Sequence, residues 1–326
     1  MKIAIIGSGS WGTAIAVTLA EKGYDIYLWS YILEESDRLN NDRENKEFLP
    51  GVALPENIVC THDMGKCIDG AEVIVTAVPS PATRTTAKQM AEFVCDGQKI
   101  VNISKGLEKD LRLSEVYRDE IPKADISVLS GPSHAEEVSR KVPTTVVVAS
   151  NNEETAKFLQ NVFMTKAFRI YTSSDVIGVE LGGALKNVIA LCAGISDGLG
   201  YGSNTKAALI TRGVAEITRL GVAMGAKAST FAGLSGLGDL IVTGTSTLSR
   251  NHTAGELLGK GMPLDEVLNT VHMVVEGVNT ATAAYNLGKK YGVETPMIDQ
   301  AYAVLYEGLN PREAVDNLMT REKKSE

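Results

Sequence analysis

Lys186 is the only lysine or arginine between Arg169 and Lys206. It sits in the run Asp175 to Gly198, DVIGVELGGALKNVIALCAGISDG, where small and apolar residues recur at helical spacing. Positions three and four apart share a helix face, so Val179, Gly182, Gly183, Lys186, Asn187 and Ala190 line one side. The two glycines leave room there for something to approach the backbone. An ammonium on that face suits acid–base chemistry, because burial disfavours its charge and brings a lysine toward the range in which it exchanges protons. The same residues also allow a lysine that lays its stem along apolar surface and keeps its head in water.

Two further groupings point to bound anions. Gly7-Ser8-Gly9-Ser10-Trp11-Gly12 follows the β-branched run Lys2 to Ile6 and precedes the helical pattern Thr13 to Lys22. This is G-x-G-x-x-G between a strand and a helix, the arrangement that binds a dinucleotide. Gly7 permits the tight turn, Gly9 the approach of a pyrophosphate, and Gly12 close packing of helix on strand, with the phosphates at the positive helix end. Downstream, Ser249 is an expected N-cap for a helix running to about Leu258, and Arg250 beside its first N–H groups makes a second anion site.

The elements that must position these residues fall into two sets. Strand runs at Lys2 to Ile6, Asp25 to Trp29, Glu72 to Val78, Lys99 to Ile103, Asp125 to Leu129 and Thr144 to Ala149 alternate with helical stretches. That alternation predicts a doubly wound α/β sheet of parallel strands over residues 1–174. Ligands of such sheets bind beyond the carboxyl ends of the strands, so the loops at Pro79, Lys105 and Gly131 should border one crevice. From Asp175 to the C-terminus helical periods dominate, giving an all-helical second domain over 175–326 with a polar loop at Thr243 to Thr247. The EKKSE tail is expected to fray. The second strand ends in Ser30-Tyr31-Ile32, without the acid that would select NAD or the arginine that would accept an NADP phosphate. Glu34, Glu35 and Arg38 lie further along and receive no role, so discrimination between the two cofactors is expected to be modest.

Composition narrows the function class. The 326 residues fit two domains. With 32 Lys plus Arg against 40 Asp plus Glu, the net charge of -8 argues against nucleic acid as the main partner. No stretch reads as a signal peptide or as the eighteen apolar residues of a membrane span, so a cytoplasmic protein without membrane insertion is expected. Cys60, Cys67, Cys95 and Cys192 are widely spaced, which reads as reduced thiols and no metal site.

Taken together, GSGSWGTA, LPGVALP, NISKGLE, LSGPSHAEEV, GVELGGALKNVIA, GLSGLGDL, SRN and VVEG resemble the bacterial-type NAD(P)-dependent glycerol-3-phosphate dehydrogenases, in the same order and over nearly the whole chain. The resemblance implies reduction of dihydroxyacetone phosphate to sn-glycerol 3-phosphate with NAD(P)H, for phospholipid synthesis. It implies Lys186 as the acid–base group, and Ser10, Trp11, Tyr31, Lys105, Ala135, Arg250, Val274 and Glu276 as cofactor contacts. Lys105, Gly131, Ser133, Lys186, Asp239, Ser249, Arg250 and Asn251 would hold the substrate. Tyr31 departs from the basic or histidine residue that many relatives carry there. A homodimer is the assembly envisaged. Competing readings are a β-hydroxyacid or 6-phosphogluconate type dehydrogenase, which would place an asparagine where Ala190 stands, and an NAD(P) sensor without turnover. His134 as proton donor is a third, for which the sequence shows no carboxylate partner.

Overall fold

Strands buried on both faces read as continuous apolar runs rather than alternating ones, and VIVT and KIVN are of that kind. In the computed structural model, which describes residues 1–271, 274–323 and 325, the chain divides into two compact units, Met1–Val179 and Glu180–Glu326. Lys324 and Glu326 of the EKKSE tail lie outside the described residues.

The first unit carries β1 (Lys2–Ile6), β2 (Asp25–Trp29), β3 (Ile58–Thr61), β4 (Val73–Thr76), β5 (Lys99–Asn102), the short hairpin β6 (Leu107–Glu108) and β7 (Leu111–Arg112), β8 (Asp125–Ser130), β9 (Thr144–Ala149) and β10 (Phe168–Ser173). Its helices are α1 (Ser10–Glu21), α2 (Leu33–Asp42), α3 (Met64–Ile68), α4 (Thr83–Ala91), α5 (Leu113–Glu120), α6 (Ala135–Ser139) and α7 (Glu153–Phe163). Eight strands form one sheet in the order β10-β9-β8-β5-β4-β1-β2-β3. Successive residues point to opposite faces. Accordingly Ile3, Ile5, Val73, Val75 and Val101 build one core, and Ala4, Ile6, Ile74 and Ile100 build the other. The winding direction reverses between β1 and β4, and ligands of open sheets bind beyond the strand ends at such a point.

One expectation fails. The sheet is not wholly parallel, because β9 pairs antiparallel with β8, Val128 opposite Ala149. The segment between β8 and β9 contains only the five-residue α6. No crossover helix returns the chain along the sheet, and β9 enters from the end at which β8 leaves. β10 then follows β9 in parallel through the eleven-residue α7.

The second unit is helical, and its first helix begins with four residues that belong to the first unit. Its elements are α8 (Val176–Gly198), α9 (Ser203–Ala223), α10 (Ala228–Phe231), α11 (Asp239–Thr245), α12 (Arg250–Gly259), α13 (Leu264–Val271), α14 (Glu276–Tyr291), α15 (Pro296–Tyr306) and α16 (Pro311–Met319). The first turn of α8, with Val176 and Val179, packs on Val128 and Ala149 within the first unit. Contrary to expectation, α8 is by length and composition able to cross a membrane, but 89% of its most apolar stretch is buried within the protein, as in a core helix. The predicted polar loop at Thr243 is also corrected: Thr243 to Thr245 form the last turn of α11.

Glu216 of α9 is 1% exposed and accepts N–H bonds from Met297 (3.0 Å) and Ile298 (2.9 Å), capping the N-terminus of α15. Burial pushes its carboxyl from 4.5 up to about 7, against those two bonds. A raised carboxyl pKa means that the folded state holds the proton more tightly than the unfolded one. The contribution to stability is therefore complete below pH 4.5 and is lost as pH rises through about 7. We predict that stability from urea denaturation falls over this window by on the order of 3 kcal/mol through this group. Glu216→Gln, which copies the neutral acid, should flatten the profile there, and an unchanged slope would contradict the assignment.

Candidate active site

In the first unit the glycine turn lies at the switch point. Gly7 has φ +115°, and a Cβ there would meet the Ala77 carbonyl oxygen at 2.7 Å. Only glycine satisfies both constraints. A Cβ on Gly12 would overlap the Gly7 carbonyl, whereas one on Gly9 meets nothing within 4 Å. The smallness of Gly9 is thus not used by protein packing, which fits a ligand approaching its backbone. Gly9 is the N-cap of α1 and supplies no side-chain hydrogen bond. The first-turn N–H groups at Ser10, Trp11 and Gly12 therefore suit a pyrophosphate.

The strand-end loops converge on this turn. Trp11 donates its indole N–H to the Ile103 carbonyl (3.2 Å), and Ser104 donates its hydroxyl to the Val78 carbonyl (2.6 Å). Lys105 Nζ donates to the Gly131 carbonyl (2.7 Å) and to Ser133 Oγ (3.2 Å), while Ser133 also donates to Gly131 (2.9 Å). Gly131 has φ +147°, and a Cβ there would meet Val146 Cα of β9 at 2.9 Å. Ala135 begins α6 with its methyl in the core, so only its backbone is available to a ligand. Tyr31 stands apart, 72% exposed with its ring edgewise to Trp29.

The second unit holds the other predicted residues. Lys186 is 4% exposed, so it does not run its head out to water. Nζ lies 3.0 Å from Asp239 Oδ1 and donates to Thr243 Oγ1 at 2.5 Å, and the Thr243 hydroxyl donates to the same Asp239 oxygen at 3.2 Å. Asp239 and Thr243 are four apart on α11 and so share a face. Burial works against the ammonium, and the buried carboxylate works for it. One residue on, Asn187 Oδ1 accepts from Asn251 Nδ2 (2.9 Å), whose Oδ1 accepts from the Gly277 N–H (2.8 Å). The start of α12 is thereby tied to α8 and to the start of α14. Ser249 caps α12 as expected, its Oγ accepting from His252 N at 3.2 Å. Arg250 is exposed, with Nη1 donating to the Val274 carbonyl (3.1 Å), and the half-buried Glu276 opens α14.

Sequence reasoning missed several participants. Thr243 was detectable from its i, i+4 spacing to Asp239. Asp197, which accepts from His252 (2.7 Å) and pairs with Lys206 (2.6 Å), had no local signal. Glu35 also reaches further than its place in the chain suggested. It is 8% exposed and accepts the hydroxyls of Ser8 (2.9 Å) and Ser30 (2.5 Å), so a charge does stand at the end of β2. Its backbone belongs to α2, and a helical turn brings the side chain back toward the strand end. Burial pushes the thiols of Cys60, Cys67 and Cys192 up to about 12, which keeps them protonated.

Comparison with known proteins places these features in a family. The model for the N-terminus of NAD-dependent glycerol-3-phosphate dehydrogenase matches residues 2–156, and that for its C-terminus matches 175–316. The chain is 54% identical over 327 residues to glycerol-3-phosphate dehydrogenase (NAD(P)+) of Desulfitobacterium hafniense, covering 100% of this chain and 93% of that one. It is 52% identical over 330 residues to the Fusobacterium nucleatum protein of the same name, covering 100% and 98%. The crystal structure of glycerol-3-phosphate dehydrogenase from Coxiella burnetii superposes with a TM-score of 0.96 at 39% identity, covering 98% and 99% of the two chains.

The asparagine network rests on a close helix crossing. A Cβ on Gly194 would overlap the His252 carbonyl, and one on Gly255 would overlap the Leu191 carbonyl and lie 2.9 Å from Ile195 N. Gly255→Ala should cost on the order of 1–3 kcal/mol through forced separation of the two backbones. Urea denaturation would read the loss, and a stability equal to that of the parent would mean that the helices are free to move apart.

Proposed function

Because the chain belongs to the NAD-dependent glycerol-3-phosphate dehydrogenase family, we propose that it reduces dihydroxyacetone phosphate to sn-glycerol 3-phosphate with NADH or NADPH, reversibly, supplying the backbone of glycerophospholipids. The observation that carries the reading is the buried cluster of Lys186, Asp239 and Thr243. The cofactor, when bound, supplies hydride to the carbonyl carbon. Residues 1–174 serve as the cofactor domain and 175–326 as the substrate and catalytic domain. A cytoplasmic homodimer belongs to the same reading.

Each residue then has a task set by its chemistry. Reduction of a ketone builds negative charge on its oxygen, and the Lys186 ammonium both stabilises that charge and donates the proton. In the oxidative direction the neutral amine accepts it. Asp239 and Thr243 orient Nζ, since a lysine has three donors and these two acceptors fix the direction of the group. The first turn of α12, with Arg250 at its surface and Ser249 and Asn251 beside it, takes the substrate phosphate. Lys105, held against Gly131 and Ser133, presents a second cation to substrate and cofactor. Val274 and Glu276 supply further cofactor contacts near Arg250.

The test is absorbance of NADH or NADPH consumed with dihydroxyacetone phosphate; no turnover with either cofactor would sink the proposal. Lys186→Met should lower kcat by at least about a thousandfold. It also removes the ammonium from beside Asp239, which is 1% exposed, and stranding a buried charge costs about 3–5 kcal/mol. The double variant Lys186→Met/Asp239→Asn separates the two effects: stability should recover while turnover does not. Turnover of the single variant within tenfold of the parent would remove Lys186 from the chemistry. Arg250→Ala should lose roughly thirtyfold or more in kcat/KM with the phosphorylated ketone and little with unphosphorylated dihydroxyacetone. An equal loss on both substrates would place Arg250 elsewhere.

A further inference from the structure

A carboxylate occupies the place where the second strand of the sheet ends. Glu35 Oε1 accepts from Ser8, which follows Gly7 in the glycine turn, and Oε2 accepts from Ser30, which follows the last residue of β2. Glu35 is 8% exposed, Ser8 6% and Ser30 0%. The clamp is itself braced. The Ser8 carbonyl accepts from Asn45 Nδ2 (2.7 Å) and Thr13 Oγ1 (3.0 Å), and the Ile32 N–H donates to Ser30 Oγ (3.2 Å). The negative charge is thus fixed between the phosphate-binding turn and the strand end beyond which the adenosine ribose lies in folds of this kind. The acid that usually ends the second strand arrives here from the first turn of α2.

Of the nearby arginines, Arg43 is engaged elsewhere and Arg38 lies at the surface. Arg43 donates to the carbonyls of Leu54, Pro55 and Ile58, and Arg38 pairs with Glu47 at 3.4 Å.

We propose that Glu35, clamped by Ser8 and Ser30, is the residue that sets cofactor preference in this chain, favouring the free 2′-hydroxyl of NADH over the 2′-phosphate of NADPH. The proposal rests on the dehydrogenase reading above and deepens it. A ribose hydroxyl can donate toward the carboxylate or join the serine hydroxyls around it. A 2′-phosphate brings close to two negative charges toward a third, and at a separation of several ångströms such like charges repel by more than a factor of ten in affinity. The clamp keeps the carboxylate from swinging away to relieve that repulsion. This replaces the expectation, drawn from Tyr31, that no charge selects between the cofactors.

The experiment is direct binding, without substrate, of NADH and of NADPH to the full chain, followed by quenching of tryptophan fluorescence, for the parent and for Glu35→Gln. Glutamine keeps the length and the hydrogen-bonding ends and removes the charge. The parent should bind NADH at least about tenfold more tightly than NADPH, and Glu35→Gln should shrink that ratio about tenfold. A parent ratio near one, or a folded variant with an unchanged ratio, overturns the proposal and leaves the dehydrogenase reading standing. Failure of the parent to bind either dinucleotide overturns both. Should the variant not fold, the parent ratio measured at about 0.05 and 0.5 M salt decides. Charge repulsion screened over a shorter Debye length shrinks the ratio severalfold, whereas a ratio independent of salt overturns the role of charge.

Discussion

The helical unit depends on two backbones being allowed to touch. Gly194 and Gly198 on α8 face Gly255 and Gly259 on α12, and a Cβ at any of the four would overlap a carbonyl oxygen of the other helix. At such separations each helix presents peptide groups rather than side chains to its neighbour, so dispersion contacts are dense and the crossing has little freedom to slide. Asn187 and Asn251 meet beside this crossing, and the amide of Asn251 also receives the Gly277 N–H. The entry of α14 is thereby located by the same contact that locates the capped start of α12.

The buried cation follows from that rigidity. Lys186 has its hydrophobic neighbours Leu185, Val188, Ile189 and Ala190 fully buried around it. An ammonium there requires a partner, since an isolated charge in such surroundings is far less stable than one in water. Asp239 and Thr243 supply it from α11. The wide turn before α11, in which the Gly238 N–H reaches the Gly233 carbonyl at 3.1 Å, sets where Asp239 begins the helix. A Cβ on Gly182 would meet the Ser235 carbonyl oxygen of that turn at 2.8 Å, so the small residues noticed around the lysine admit the segment that leads to its counter-ion.

In the sheet unit the corresponding constraint is the reversal of β9. β8, parallel to β5, places Gly131 to Ser133 at the same end of the sheet as Gly7 and Lys105, where the Lys105 ammonium is held by the Gly131 carbonyl, and the reversed β9 brings Val146 against Gly131 there. Because β9 lies against Gly131 closely enough to exclude a Cβ, the loop is positioned by strand packing as well as by its own hydrogen bonds. Glu35 shows the same economy of position at the other side of the turn, two serines from different strand ends sharing one carboxylate.

What the sequence by itself determined is what short-range geometry encodes. The three glycines at 7, 9 and 12, the β-branched runs around them, the small face around Lys186 and the cap at Ser249 all act within a turn or two of the backbone, and each stands in the structure where its spacing put it. Tertiary structure alone decided the partners. Thr243 meets Lys186 across 57 residues and Asn251 meets Asn187 across 64, separations at which periodicity carries no information about which faces will meet. It also decided the direction of β9, whose β-branched residues suit a parallel or an antiparallel neighbour equally. It decided that the most apolar helix lies in the protein interior, because composition measures what a segment tolerates and not what surrounds it.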